Sequence, residues 1–217
     1  MKENLRNEPN WLVPEGGPEW VRWGFGMRGA VLRNELASAH QVHGARVVVV
    51  DRPGPAGDAD ALVTNTPGLM LGIKTADCLP LLLIDTRRRA VAAVHAGWRG
   101  TAQGIAGAAI RAMQEKCETN PIDVVAALGP AIGRCCFEVG PEVAREFTGF
   151  DRELANAAEK CHLDLRAINE WQLKEVGVEM ILRNELCTVC EPEKFESFRR
   201  EREKAGRMWS VIEVIEG

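Results

Sequence analysis

Two apolar runs, Leu-Pro-Leu-Leu-Leu-Ile-Asp at positions 79–85 and Ala-Val-Ala-Ala-Val-His-Ala at positions 90–96, are separated only by Thr86-Arg87-Arg88-Arg89. A parallel return needs a crossover of a dozen or more residues, so a connection this short forces an antiparallel hairpin. Pairing Asp85 with Ala90 carries the register back until Cys78 stands opposite Gly97. His95 is two positions from Gly97 and so shares a face with Cys78, as a diagonal neighbour at ~7–8 Å or less. A slip of one residue would put the two on opposite faces. The hairpin therefore predicts a thiol and an imidazole at one end of a sheet, beside the turn residues Ala76-Asp77 and Gly97-Trp98.

Further short β-branched runs at 46–50, 69–75, 124–128, 178–182 and 209–215 have strand lengths and turn-type borders. Helical patterns lie between them. Thr101 is placed to cap a helix to about Lys116, with Ile105, Ala108, Ala109 and Ala112 on one stripe. Pro141 starts a short helix to Phe147, and a third runs from Leu165 to Val176 between a capping Asp164 and a terminating Gly177. The interleaving predicts an α+β fold with mixed or antiparallel sheets, layered with flanking helices. No repeat, low-complexity tract or Gly/Ser linker interrupts the 217 residues, which favours one domain. Residues 1–23, with Trp11, Trp20 and Trp23 among Pro and Gly, read as an irregular arm on its core.

Strand-end positions beside glycine loops are open to ligands, which gives the Cys78/His95 pair two chemical readings. Either His95 lowers the thiol pKa and Cys78 is a nucleophile, or both bind a metal with a third ligand from elsewhere. The third candidate is His43 in Gln41-Val42-His43-Gly44, just before the run at 46–50; His40 is its rival but has no glycine beside it.

Composition removes several classes. The chain has no tyrosine, which excludes a phenol as acid, base or radical carrier, and only four histidines, which limits metal chemistry. A net charge of −4 gives no basic footprint for nucleic acid or an anionic membrane. The apolar stretches at 79–84 and 90–94 are too short to span a bilayer, and the polar first residues lack an apolar signal region. Seven cysteines, an odd number, argue against a disulfide framework. The expectation is a cytoplasmic, reduced protein.

Gln41-Val42-His43-Gly44, Thr75-Ala76-Asp77-Cys78-Leu79-Pro80 and His95-Ala96-Gly97-Trp98-Arg99-Gly100 resemble the three signature motifs of the polyphenol oxidase, or laccase-domain, family. Members of that family have been re-described as purine nucleoside phosphorylases. Further matches include Asn65-Thr66-Pro67-Gly68, the Leu-Gly-Pro-Ala-Ile-Gly string at 128–133, Phe137-Glu138-Val139-Gly140 and Cys187-Thr188. The resemblance runs from about Trp23 onward and implies a fold shared with cysteine-hydrolase-like proteins. It also implies that His43, Cys78 and His95 jointly bind one zinc, or copper in some members, with a fourth position open as in catalytic sites. The activities implied are phosphorolysis of adenosine, inosine, guanosine and methylthioadenosine and hydrolytic deamination of adenosine, so the partners are purine nucleosides and phosphate. By the same resemblance Arg28, followed by Gly29, is a candidate anion-binding residue. Arg99, beside His95, is a candidate phosphate ligand, and Asp77 is a candidate for orienting a ligand or holding a turn.

The chain departs from the family in two respects. Only residues 29–40 separate Arg28 from Gln41, where the family has a much longer segment that contributes to the pocket wall. Phe137 and Phe198 stand where relatives often carry tyrosine. Cys187-Thr188-Val189-Cys190 has CxxC spacing, but the adjacent Cys135 and Cys136 are poorly spaced to complete a site, so these residues are expected to pack structurally. Rival functions are a Cys/His hydrolase or amidase acting on cell-wall precursors and a non-catalytic zinc-binding domain. A multicopper laccase needs more imidazoles than four.

Overall fold

The computed structural model describes Leu5, residues 8–32 and residues 35–215. Along the chain, β1 (Trp11–Leu12), β2 (Val21–Gly26) and β3 (Ala37–His40) are followed by β4 (Val47–Val49), β5 (Gly54–Asp58) and β6 (Ala61–Thr64). Strand β7 (Met70–Thr75) leads into the hairpin of β8 (Leu79–Asp85) and β9 (Ala90–Ala96). Two helices, α1 (Trp98–Ala102) and α2 (Ile105–Cys117), precede β10 (Val124–Leu128). Beyond it come β11 (Glu138–Val139), α3 (Pro141–Ala144), β12 (Cys161–His162), α4 (Leu165–Glu175), β13 (Met180–Arg183), α5 (Phe198–Glu201) and β14 (Met208–Val214).

The hairpin register is the one the four-residue connection requires, with Asp85 facing Ala90, Pro80 facing His95 and Leu79 facing Ala96. It forms the centre of a six-stranded sheet ordered β13-β10-β8-β9-β6-β4. The side chains of β8 alternate between two covered faces. Leu81 and Leu83 join Ala92, Val94 and Ala126 under α2 and α4, against Ile105, Ile110, Met113 and Ile168. Leu82 and Ile84 turn the other way and meet Trp23, Phe25, Leu71, Ile73 and Ile212. Those residues belong to a second sheet, ordered β1-β2-β14-β7-β3-β5. Burial on both faces is why β8 and β9 read as unbroken apolar runs, and each fully buried leucine contributes roughly 1.5–3 kcal/mol. Both sheets are mixed, with parallel pairs β10–β13, β4–β6, β3–β5 and β3–β7. The α+β expectation with mixed sheets and flanking helices holds.

Two local expectations are corrected. The supposed irregular arm supplies β1 and the first half of β2, whose Val21 and Trp23 are buried; proline and glycine at the turns conceal these short strands in the sequence. The helix expected from Thr101 is broken at Gly104, whose φ of 76° is left-handed and cannot continue a helix. Thr101 is consequently an interior residue of α1, buried, with its hydroxyl oxygen accepting from Asn169 Nδ2 at 3.0 Å. The helix at α4 keeps its expected cap, Asp164 accepting from the N–H groups of Arg166 and Ala167.

Candidate metal centre

The register places Cys78 across from Gly97 at the end of the hairpin, and the loop after β3 brings His43 to the same point. One ligand atom each from His43, Cys78 and His95 lies within 4.8 Å of the others. The two imidazole rings meet edge-on, 4.8 Å between centroids. Gly97 is the hollow in the middle: a Cβ built there would stand 3.0 Å from Cys78 Sγ, 3.2 Å from His43 Cδ2 and 3.7 Å from His95 Cε1. Gly100 serves the same junction, because a side chain there would meet the carbonyl oxygen of Gly44 at 2.6 Å. These two contacts give a steric reason for both glycines of the His95–Gly100 motif.

Asp60, which the sequence reading passed over, organises the group. It is buried, and its Oδ1 lies 2.8 Å from His95 Nδ1 and accepts the N–H of His43 at 2.9 Å. Its Oδ2 accepts from Gly44 N at 2.7 Å and from Val42 N at 3.3 Å. One carboxylate thus fixes the tautomer of His95 and holds His43 at its left-handed φ of 60°. The placement comes from the antiparallel pairing of β6 with β9, in which Ala61 faces Val94 and Asp60 is set against His95. Gln41 completes the frame by imitating a strand, its side chain donating to Lys74 O at 2.7 Å and accepting from Lys74 N at 2.8 Å.

Burial disfavours an ionised Cys78, but hydrogen bonds from His43 and His95, with their charge, outweigh it and hold the thiol at about 6. Burial likewise disfavours a charged His95, yet Asp60 and then Cys78 raise it to about 9. For Asp60 burial pushes upward, while the bond to His95 and the backbone N–H groups of Gly44 and His43 bring it below the usual carboxylate value. One thiol and two imidazoles form a donor set suited to zinc or copper and not to magnesium or calcium.

These residues lie on a cleft of about 820 Å³ that is also lined by Trp98, Arg99, Phe137, Phe198, Arg199, Arg202 and Arg207. Of the predicted anion-binding residues, Arg99 is on the wall with its guanidinium 4.3 Å from the centre of the Trp98 ring. Arg28 is not on the wall. Its guanidinium is held by Glu201 at 2.7 Å and Glu196 at 3.2 Å, and two carboxylates absorb the charge an anion would need. Asp77 borders the cleft, but both its oxygens are occupied, accepting from the Thr188 hydroxyl and from Arg199 N at 2.6 Å each. It holds a turn, at a φ of 84°. Arg199 and Arg207, which match the family's sequence pattern but carried no assigned role, donate to backbone carbonyls of Glu138, Ala205 and Gly206. Both line the cleft, and these contacts are to carbonyls and not to carboxylates. Of the two remaining histidines, His40 lines the cleft but lies outside the donor cluster, exposed beside Asp58 at 2.9 Å, and His162 is on β12.

The family model for multi-copper polyphenol oxidoreductase laccases matches residues 26–215. The chain belongs to that family. Among its curated relatives, "Purine nucleoside phosphorylase YfiH" of Shigella flexneri is 39% identical over 180 residues, covering 81% of this chain and 72% of the relative. "Adenosine deaminase RL5", from an unknown prokaryotic organism, is 37% identical over 198 residues, covering 82% and 75%. The crystal structure of Bacillus licheniformis hypothetical protein YfiH superposes with a TM-score of 0.85 at 28% identity, covering 97% of this laccase-family chain and 98% of the other. Among the described residues, no helix is long and apolar enough to cross a membrane.

Proposed function

We propose that His43, Cys78 and His95 hold a zinc ion and that the cleft carries out phosphorolysis of purine nucleosides, with deamination of adenosine at the same centre. The observation that carries this reading is the convergence of the three donors around Gly97 at the base of an arginine-walled cleft. The names of the phosphorylase and deaminase relatives support it. When bound, such an ion supplies Lewis acidity and an anchoring charge for oxygen ligands. Phosphorolysis requires a phosphate oxygen at ribose C1′ as the glycosidic C–N bond breaks and its electron pair departs with the base. Arg199 and Arg207, with Arg99 and Arg202, supply the positive wall that holds phosphate. The rings of Phe137 and Phe198 offer flat apolar faces for the purine. Asp60 keeps His95 in one tautomer and fixes the His43 loop. The donor cluster holds two imidazoles, and the cleft's further histidine, His40, is exposed and paired with Asp58, so several copper ions find no ligand set among the described residues.

The test is incubation of metal-analysed protein with adenosine, with and without phosphate, separating adenine, inosine and hypoxanthine by chromatography. The reading expects adenine only with phosphate and inosine without it, and expects Cys78→Ser to lose both together with its zinc. Full turnover by Cys78→Ser, or no product from zinc-loaded protein, overturns it. A second reading is favoured by the thiol held at about 6, that of a Cys/His hydrolase with Cys78 as nucleophile. An acyl-enzyme trapped on Cys78 in metal-free protein would support it.

A further inference from the structure

Four cysteines that the cleft does not use meet behind it. We propose that Cys135, Cys136, Cys187 and Cys190 form a second metal site, a structural one that takes zinc through four thiolates. The Sγ atoms lie within 4.8 Å of one another, with Cys135–Cys190 at 3.6 Å and Cys136–Cys190 at 3.4 Å. A disulfide would require about 2.05 Å, and all four are free thiols. Zinc–sulfur bonds of ~2.3 Å in a tetrahedron put sulfurs ~3.8 Å apart, close to the spacing found. The donor set contains sulfur alone, which selects a soft ion over magnesium or calcium.

The backbone is built for the convergence. A parallel bridge between Ala131 and Cys187 aligns the two cysteine segments, with Thr188 N donating to Ala131 O at 3.1 Å. A turn in which Cys136 N donates to Gly133 O at 2.9 Å brings the adjacent pair round to face the Cys187–Cys190 turn. Adjacent cysteines looked badly spaced in the sequence; this turn supplies what linear spacing could not show. Gly133 is the point of closest approach, since a Cβ there would meet Cys135 Sγ and Cys187 Cβ at 3.2 Å. Its N–H donates to Cys187 Sγ at 3.2 Å, a bond that favours thiolate.

Four thiolates around a divalent ion leave a doubly negative centre, and three arginines gather about it. Arg166 donates to Ala131 O at 2.8 Å and to Leu186 O, and Arg200 to Thr188 O at 2.7 Å and Val189 O at 3.0 Å. Arg199 reaches Cys136 O at 3.4 Å. On binding, each thiol releases its proton to solvent. The site also has a reason to exist: Thr188, between the two cysteines of the CxxC turn, donates its hydroxyl to Asp77, the neighbour of Cys78. A metal here would fasten the segment that holds the Asp77 turn.

The site stands independently of the zinc assigned to the cleft, and metal counting separates the two. Protein grown with zinc and purified under reducing conditions is analysed by plasma mass spectrometry as wild type, Cys78→Ser/His95→Ala and Cys187→Ser/Cys190→Ser. The expectation is two zinc ions per chain in wild type and one in each variant. Cobalt(II) substituted into Cys78→Ser/His95→Ala should give the strong near-ultraviolet charge-transfer absorption of a four-thiolate tetrahedral site. That variant carries the test even where Cys187→Ser/Cys190→Ser does not fold. One zinc in wild type that persists in Cys78→Ser/His95→Ala would remove the cleft metal and leave this one standing. The proposal is overturned if Cys78→Ser/His95→Ala holds no zinc, if iron occupies the four thiols, or if peptide mapping finds a disulfide between the two cysteine segments.

Discussion

Replacing Asp60 by asparagine preserves shape and tests whether one carboxylate positions two of the three proposed ligands. Oδ1 serves His95 Nδ1 and the N–H of His43, while Oδ2 serves the N–H groups of Gly44 and Val42. In either amide orientation the new NH2 group faces donors. Turned toward Gly44, it repels the N–H groups of Gly44 and Val42 and loosens the loop on both sides of His43. Turned toward His95, it requires Nδ1 to accept, which moves the ring proton to Nε2 and removes that nitrogen as a ligand. Two hydrogen bonds to a charged group are lost in each case, at about 1.5–3 kcal/mol apiece before relaxation. A net loss of about 3 kcal/mol lowers the melting temperature of a chain this size by roughly 6–12 °C. Zinc affinity, read by competition with a chelator, should fall ~10–100-fold. An Asp60→Asn protein that keeps wild-type affinity and melting temperature would refute the argument, because both ligands would then be held by something else.

Gly97→Ala places a methyl group 3.0 Å from Cys78 Sγ; the expectation is a folded protein, destabilised by about 1–3 kcal/mol, whose cleft zinc is lost on dialysis. Arg207→Ala should raise the KM for phosphate at least several-fold while leaving phosphate-independent inosine formation unchanged, a split visible in the same chromatographic assay. In the second sheet, Arg22 Nε donates to Glu213 Oε2 at 3.0 Å with both side chains buried. Arg22→Ala should lower stability in denaturant unfolding by about 1.5–3 kcal/mol, since it removes a charged hydrogen bond between buried side chains.

The geometry legible in the sequence was the geometry dictated by short connections. Four residues between β8 and β9 fix their register, and a period of two then decides which side chains share a face with Cys78. Asp60 escaped because β6 reaches β9 through β7 and β8, and nothing local announces that pairing. Linear spacing argued against the four-cysteine cluster, because Cys135 and Cys136 are adjacent; Cys136 and Cys190 are 54 residues apart, and their meeting depends on one isolated bridge. A cation beside glycines looks the same in sequence whether or not two glutamates close upon it, as Glu196 and Glu201 do on Arg28. Strands β1 and β2 were hidden by the proline and glycine around them, although burial of Val21, Trp23 and Phe25 explains their apolar character.

Strand β14 lies between β2 and β7, and its ion pair with β2 joins residues 191 positions apart. Closing a loop of that length costs ~5 kcal/mol of chain entropy before any contact repays it. Until that closure, β2 and β7 present bare hydrogen-bonding edges to other chains. Closure of this sheet within the chain therefore competes with association between chains, and the partly folded chain is most exposed to aggregation along those two edges.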